Sequence, residues 1–391
     1  MPGHAIEPRD PLVIRDGRPN DGRSQSQTLP FPYPSTVAGL CRARLGSEPG
    51  RGFTLDADQL PQLLATEIRG PLLVDQDSNG PVCDRVWVPA PRDALVSRVD
   101  ERLHLRPLYR IAAEGARFDV EDGLEWMGQM PSDVLSGKPV REAPRFWSWS
   151  FYSSWLLGES ARRSADRLDD LIPNGLSAFP TEARTHVALD ENGVAEEGKL
   201  FGTAGLRLTA VSGRPLSLLT HVETPEGFDR GITPQVAPAA GERRLARWSE
   251  SAAWDALDEI PAPVRSLVRA EGAESVCVRV TLLTPALFAQ GWRPSASSPL
   301  LAGGLATLRS ALVPRPEVVS GWDVRRQRPK PTRRMVSSGS VFVLELGGDP
   351  ESRERWLESV WMKNLSDDAQ DRRDGFGLGV VGAELKEEGV R

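Results

Sequence analysis

The sequence has few residues of the kinds that build metal sites and disulfide frameworks. Among 391 residues there are three cysteines and four histidines. The cysteines (Cys41, Cys83 and Cys277) lie far apart and form no CxxC pair, and the histidines show no HxxxH or HExxH spacing. We therefore expect no zinc ribbon, no disulfide-stabilised fold, and no metal ion or other cofactor.

Long apolar runs are also missing. The uncharged stretch 294–308 is interrupted by two prolines and two glycines, whereas a membrane-spanning helix needs about 20 apolar residues. The first residues, MPGHAIEPRDP, carry acids and prolines where a signal peptide has an apolar core. Hydrophobic residues make up 39% and charged residues 26%, which is ordinary for a globular protein. We expect a cytoplasmic protein of two or three domains without membrane contact.

Lysine is scarce, whereas arginine is abundant. The chain has five lysines and 43 arginines, with a net charge of −6. Genomic codon bias explains such a ratio, but arginine also suits phosphates and stacked bases. The most basic window, 325–334, has no acid, and two prolines keep it extended. Its like charges repel one another unless an anion neutralises them, and nucleic-acid phosphate is a natural anion; a solvated loop is the alternative.

The order of predicted elements indicates the α+β class. We predict a strand within 4–14 and a helix over 34–45 that is capped by Ser35 or Thr36 and closed by Gly46. Later elements are a hairpin at 184–201, a strand at 275–283, a short helix or loop at 300–312, a strand at 341–347 and a helix at 350–365. This order predicts two ferredoxin-like (RRM-like) units with mostly antiparallel sheets, long insertions and a C-terminal glycine-rich loop. We divide the chain into an N-terminal domain (1–230), a linker or boundary region (231–272) and a C-terminal domain (273–391).

The glycine-rich stretch 375–382, GFGLGVVG, contains a literal GxGxxG. A dinucleotide site also needs a strand before it, a helix after it and an acid about 20 residues on, and the chain stops nine residues after Gly382. We therefore reject that interpretation. Two remain open: a row of backbone amides that cradles a phosphate, or a tight turn packed against a helix.

Signs of catalysis are weak. The sequence has no GxSxG motif and no histidine near a cysteine, and the acid pairs Asp169-Asp170 and Asp367-Asp368 lie in polar runs that are typical of solvated surface. We expect no enzymatic activity. The aromatic run 146–157, with Trp147, Trp149 and Trp155, is typical either of a core or of a subunit interface.

Several separated motifs resemble one protein family. They are EPRDPLVIRDGRP (7–19), FPYPSTVAGLCRARL (31–45), EARTHVALDENGVAEEGKLF (182–201), LLTPALFAQGWRP (282–294), SGWDVRRQRPKPTRRMVSSGSVFVLE (320–345) and GFGLGVVG (375–382). Together they resemble the RAMP-superfamily proteins, of the Cas-five-like group, that form subunit three of the type III-B CRISPR effector, the Cmr complex.

The resemblance implies a non-catalytic subunit that caps the repeat-derived 5′ handle of the crRNA. It implies docking onto the large polymerase-like subunit and onto the Cas-seven-like backbone subunit, with target RNA met only indirectly. The hairpin at 184–201 looks like the family's thumb. An endoribonuclease that cuts repeat RNA, with His186 or His221 as general base, is the alternative, and a protein-only scaffold is another.

Basic turns, the helix start and the glycine-rich segments define the RNA surface that we predict. Its residues are Arg15, Arg18, Ser35, Thr36, Arg42, Arg325, Arg326, Arg328, Lys330, Arg333, Arg334, Gly339, Ser340, Gly375, Phe376, Gly377 and Gly379.

Overall fold

The structure, a computed structural model, has about 20% helix and 41% strand, and most strand pairs are antiparallel. It describes residues 3–15, 25–26, 28–77, 80–99, 102–111, 124–128, 138–140, 143–158, 171, 173–210, 213–242, 244–323 and 328–385. No helix in these ranges is long and apolar enough to span a bilayer.

The helices in the described ranges are short. They are α1 (Pro34–Leu45), α2 (Leu60–Ala65), α3 (Trp149–Leu156), α4 (Asp255–Asp258), α5 (Ala262–Val268), α6 (Pro350–Val360) and α7 (Ala369–Arg373). Two 3-10 turns lie at Ala252–Trp254 and Ala302–Gly304.

Strands form most of the regular structure. Those before α3 are β1 (Gly3–Pro8), β2 (Gln25–Ser26), β3 (Ser47–Glu48), β4 (Gly52–Phe53), β5 (Glu67–Asp77), β6 (Gly80–Pro89), β7 (Ala94–Val99), β8 (Arg102–Pro107), β9 (Tyr109–Ile111), β10 (Trp126–Gly128), β11 (Lys138–Pro139) and β12 (Phe146–Ser148). Between α3 and α4 come β13 (Gly175–Leu176), β14 (Thr181–Leu189), β15 (Ala195–Leu206), β16 (Leu216–Glu223), β17 (Gln235–Pro238) and β18 (Leu245–Ser251). The last are β19 (Val276–Leu282), β20 (Ala306–Leu312), β21 (Glu317–Val319), β22 (Trp322–Asp323), β23 (Arg328–Pro329), β24 (Arg333–Met335), β25 (Val341–Leu346) and β26 (Gly379–Ala383).

The larger sheet has eight strands in the order β13-β12-β6-β5-β16-β1-β18-β17, with antiparallel neighbours. Helix α1 buries Val37, Ala38 and Cys41 in the same apolar cluster as residues of β5. The segment 231–272, which we predicted as a linker, contributes β17 and β18 to this sheet. Pairing of β18 with β1 ties that segment to the N-terminus of the chain.

The smaller sheet has four strands in the order β20-β25-β19-β26, again with antiparallel neighbours. Helix α6 covers it with Trp356 and Leu357, and the Trp356 indole N–H donates to the Leu300 carbonyl at 3.1 Å. The helix ends at Val360, earlier than the predicted 365, because the next residues pair with the glycine-rich segment: the Leu365 amide donates to Gly377.

The start of α1 differs from the prediction. The N-cap position is Tyr33, whose side chain makes no capping hydrogen bond, and Pro34 takes the first helical position, where a missing N–H costs nothing. Ser35 and Thr36 therefore lie inside the first turn, and the Thr36 amide donates to the Tyr33 carbonyl at 3.0 Å. The predicted end at Gly46 is confirmed.

The predicted hairpin is confirmed as β14 and β15, joined by a turn in which Gly193 has φ +76°. The aromatic run forms β12 and α3, and Trp147 and Trp155 are fully buried with ring centroids 5.5 Å apart. Burial of both rings confirms the core interpretation over the interface interpretation.

A buried ion pair joins the smaller sheet to the segment between β6 and β7. Arg279 of β19 and Asp93, just before β7, are both fully buried and in direct contact. The Arg279 guanidinium also donates to the carbonyls of Trp155, at 2.9 Å, and Ala383, while Asp93 accepts the Trp155 indole N–H at 2.9 Å. The pair therefore fixes β19, β26, α3 and the start of β7 around one point.

A close approach of backbone brings the glycine-rich segment against β5. Gly375 has φ +92°, and a Cβ there would lie 2.7 Å from the Gly70 carbonyl oxygen and 3.2 Å from Pro34 Cβ. Only glycine fits this left-handed conformation without strain and also allows β5 to come so near.

We expect Asp93→Asn to lower the free energy of unfolding by about 3–5 kcal/mol, because it leaves the Arg279 cation buried without its counter-charge. Urea denaturation monitored by circular dichroism measures the change. The double variant Asp93→Leu with Arg279→Met should recover part of the loss, since it removes both charges. Arg265→Met, which breaks an exposed pair with Glu354, is the control and should change stability little.

Gly375→Ala should cost about 2–4 kcal/mol, because it adds backbone strain to a steric clash. Gly193→Ala is the matched control: its φ is also positive, but nothing lies within 4 Å of the added Cβ, so we expect about 1 kcal/mol. Equal losses in the two variants, measured by urea denaturation, would contradict a packing constraint at Gly375.

Candidate nucleic-acid interface

A cleft opens between the two sheets beside the start of α1. Its volume is about 600 Å³, within the range of ligand sites. Alternating prolines and aromatics in the segment Pro30–Pro34 form one wall. The remaining lining comes from 89–92, 94–96, Val140, 143–147, 178–179, 283–285, Pro71, Glu317 and Ser338.

Aromatic rings and two arginines give this cleft its chemistry. Phe31 lies 5.2 Å from Phe146 and stacks on Phe179 at 6.5 Å between ring centroids. Arg92 and Arg145 contribute guanidinium groups. The pKa of Arg92 lies below its usual value because burial disfavours the cation; the Glu317 carboxylate opposes this shift and the Arg145 cation adds to it. Aromatic faces with nearby cations are what single-stranded nucleic acid binds.

Residues 328–334 of the basic window lie on a second hairpin, built from β21 paired with β24 and β22 paired with β23. We call residues 317–323 and 328–335 the basic hairpin. At its base, Val319 and Met335 pack with Leu287 and Phe376 in a small apolar cluster. Outside this cluster, Arg328, Lys330, Arg333 and Arg334 are all exposed.

One ion pair holds the basic hairpin against α7. Arg333 donates to both carboxylate oxygens of Asp371 at 2.8 Å. Burial raises the pKa of Asp371, and the Arg333 cation partly offsets the shift. Because Glu317 and Ser338 also line the cleft, the cleft and the base of the basic hairpin form one continuous surface.

The glycine-rich segment does not present free amides. The amides of Gly375, Phe376, Gly377 and Gly379 donate to the carbonyls of Arg372, Asp371, Pro285 and Lys363 respectively. The Leu378 amide donates to the Thr284 hydroxyl at 2.8 Å, and all five residues are buried. This arrangement supports the tight-turn interpretation over a phosphate cradle. It corrects the predicted RNA contact of Gly375, Phe376, Gly377 and Gly379, since these residues have no surface or donor to offer.

Three further predicted contacts are occupied by the protein itself. Arg42 is buried; it pairs with Asp374 at 2.5 Å and donates to the Thr66 carbonyl at 3.0 Å. Gly339 lies against the Ala90 carbonyl, and its own carbonyl accepts from the Arg92 amide at 2.9 Å. Ser340 is fully buried and donates to the Ser337 carbonyl. We correct all three to packing roles.

The other predicted residues fall into three groups. Ser35 and Thr36 are half-buried next to Pro34, which lines the cleft. Arg15 is exposed and pairs with Glu242 at 2.8 Å, next to the bridge between Arg15 and Thr28. Arg18, Arg325 and Arg326 lie outside the described residues.

Sequence analysis missed three members of the cleft: Arg92, Arg145 and Phe179. They come from three separate segments that meet only when the sheets pack. The one available signal was the pattern Pro144-Arg145-Phe146-Trp147, which places a cation next to the aromatic run.

The histidines of the endoribonuclease alternative have protein partners. His221 is buried beside Trp254, and its Nδ1 atom lies 2.9 Å from an Arg69 nitrogen. His186 Nε2 lies 2.9 Å from the Thr203 hydroxyl on the hairpin of β14 and β15. Within the described ranges, no group of three or more histidine, cysteine, aspartate or glutamate side chains is placed to hold a metal ion.

The chain resembles solved subunits of type III CRISPR complexes. Two are chains of cryo-EM structures of the type III-B Cmr-beta bound to cognate target RNA, one of them also with AMPPnP. The match without AMPPnP has a TM-score of 0.40 and 13% identity over 93% of this chain and 98% of that chain. The match with AMPPnP has a TM-score of 0.39 and 13% identity over 87% and 86%. A chain of the Csm3-Csm4 subcomplex of the type III-A CRISPR-Cas interference complex matches with a TM-score of 0.39 and 8% identity over 89% and 94%.

No curated protein matches this chain in sequence. A family does: the one described as CRISPR-associated protein (Cas_Cmr3) matches residues 4–384, which is nearly the whole length. That span includes the cleft, the basic hairpin and the glycine-rich segment, and it agrees with the resemblance in the sequence motifs. The chain belongs to the Cmr3 family of CRISPR-associated proteins.

Proposed function

We propose that this protein is a non-catalytic subunit of a type III-B CRISPR effector complex that binds the repeat-derived 5′ handle of the crRNA. The single observation that carries the proposal is the continuity of the basic hairpin with the aromatic cleft. Four exposed cations, at Arg328, Lys330, Arg333 and Arg334, would contact phosphates, and the cleft would accept unpaired bases.

Family membership supports the same role. Two of the solved chains that this protein resembles belong to type III-B Cmr-beta complexes bound to cognate target RNA, and the third belongs to a Csm3-Csm4 subcomplex. For this chain we propose docking onto the large polymerase-like subunit and the Cas-seven-like backbone subunit, with target RNA contacted only indirectly. The strand order of the smaller sheet, with β19 and β25 at its centre, supports a ferredoxin-like unit at the C-terminus.

Cleavage of repeat RNA is the competing function, and the histidine contacts argue against it. A general base needs a lone pair near the ribose hydroxyl, and His221 is buried against Arg69. We therefore expect no product when the protein is incubated with repeat RNA in chelator. If the wild-type protein forms product and His186→Ala or His221→Ala does not, the protein is an endoribonuclease and the proposed function is wrong.

The decisive experiment is to purify the tagged chain gently from its native host and to sequence the RNA that accompanies it. The co-purifying proteins are identified from the same sample. The proposal expects short RNAs that share one repeat-derived 5′ end and vary at the 3′ end. RNA without a common 5′ end, or proteins without RNA, would overturn it in favour of a scaffold.

We expect Arg333→Ala with Arg334→Ala to weaken binding of that RNA by about 100-fold or more, because two charge-assisted phosphate contacts of about 1.5 kcal/mol or more each are lost. The dependence of log affinity on log salt should become shallower by about 1.4, as two fewer counterions are released from a single strand. Filter binding at several salt concentrations measures both quantities. The control is Arg265→Ala with Arg269→Ala, which removes two arginines that pair with Glu354; equal effects in the two double variants would refute the assignment of the basic hairpin.

A further inference from the structure

The motif at 282–294 ends in Gly291-Trp292-Arg293-Pro294, and the proposed function leaves its tryptophan unused. Trp292 is half-buried, so part of its ring reaches the surface. Its indole N–H has no acceptor among the residues that the structure describes, whereas those of Trp155, Trp356 and Trp361 each have one.

A carboxylate fixes the turn that carries Trp292. Asp367 accepts from the Ala289 amide at 2.7 Å and from the Ser295 amide at 3.2 Å, one on each side of the turn. The Gly291 amide donates to the Phe288 carbonyl at 3.1 Å, and Gly291 has φ +79°. Asp367, which we expected to be a solvated acid, therefore holds Trp292 in place before any ligand binds.

Trp292 forms one wall of a second cavity, with a volume of about 610 Å³ as the described residues frame it. Met335 and Val336 contribute apolar surface to the lining of the same cavity. Glu125 and Gln290 are the polar lining residues besides Arg334. Such a space, apolar with a few polar groups, suits a flat aromatic ligand.

Charge identifies the kind of ligand. Arg334 lines the cavity and is exposed on the basic hairpin, next to Arg333. Glu125, the one carboxylate of the lining, lies 3.1 Å from Arg110 and is partly neutralised. Pro316 lines this cavity and Glu317 lines the cleft, so a strand that crosses the base of the basic hairpin reaches both. A polyanion with flat bases fits this combination better than an apolar peptide does.

We propose that this cavity receives one unpaired base of the RNA whose phosphates contact Arg333 and Arg334, with the base stacked on Trp292. This inference rests on the proposed function. Glu125 accepts hydrogen bonds only, so it would pair with a donor group on the edge of the base, such as an exocyclic amino group. The site adds an anchor for a single nucleotide beyond the phosphate contacts.

Substitution of the ring tests the stacking. With the RNA identified by sequencing, Trp292→Ala should weaken binding about tenfold, whereas Trp292→Phe, which keeps an aromatic face, should weaken it less than threefold. The salt dependence should not change, because no charge is removed. Phe53→Ala is the matched control: Phe53 is an exposed aromatic remote from the cavity, and its loss should leave the affinity unchanged.

An abasic scan then locates the base. RNAs with a single abasic sugar at successive handle positions are bound to the wild-type protein and to Trp292→Ala. At one position, the abasic substitution should lower the affinity of the RNA for the wild-type protein about tenfold. The same substitution should not lower its affinity for Trp292→Ala any further. At every other position the two proteins should respond alike.

The outcomes separate the two proposals. If wild type binds the RNA and the Arg333→Ala, Arg334→Ala protein binds it weakly, the proposed function stands. Full affinity of Trp292→Ala for the intact RNA in that case would overturn the base-binding site. Loss of a co-purifying protein in Trp292→Ala, with RNA affinity intact, would assign the cavity to a protein side chain and would also overturn it. Absence of RNA from the wild-type preparation would instead contradict the proposed function itself.

Discussion

The buried contact between Arg279 and Asp93 is the constraint on which the packing of the smaller sheet against α3 and the start of β7 depends. Both side chains are fully buried, and a charge in such a place is tolerable only with its partner and with hydrogen bonds to the remaining donors. The carbonyls of Trp155 and Ala383 and the Trp155 indole complete the set. Each partner comes from a different element, so the charge is satisfied only when all of these elements meet.

The glycine-rich segment acts on the RNA surface indirectly. Its backbone amides donate hydrogen bonds to other parts of the protein, and its glycines allow close packing, as at Gly375 against Gly70. Phe376 in turn lies under Val319 and Met335 at the base of the basic hairpin, and Asp371 holds Arg333. The segment therefore supports the base of the basic hairpin and so positions the cations that we propose bind RNA. A substitution there is expected to affect RNA binding through the placement of the basic hairpin.

Local patterns predicted those elements whose signal lies within a few residues. The hairpin of β14 and β15 followed from alternation around Gly193, and β19 and β25 followed from dense β-branched runs. Other elements depended on distant partners. Strand β20, expected as a helix or loop, becomes a strand because β25 pairs with it, and α6 stops early because 362–365 pair with the glycine-rich segment. The strands β17 and β18 inside the expected linker were missed for the same reason.

For the candidate site, the order of residues alone carries the motifs that resemble the family and the run of arginines in the basic window. The tertiary structure decided which predicted residues have surface left to bind a ligand. Arg42, Ser340 and Phe376 are buried and packed against residues distant in the sequence, so they have no surface left for RNA. The tertiary structure also added Arg92, Arg145 and Trp292, which line cavities assembled from segments far apart in the chain. A cavity forms only where elements from distant parts of the chain pack together, so no local sequence pattern predicts it. A charge run or a turn consists of neighbouring residues, so it can be predicted from the sequence.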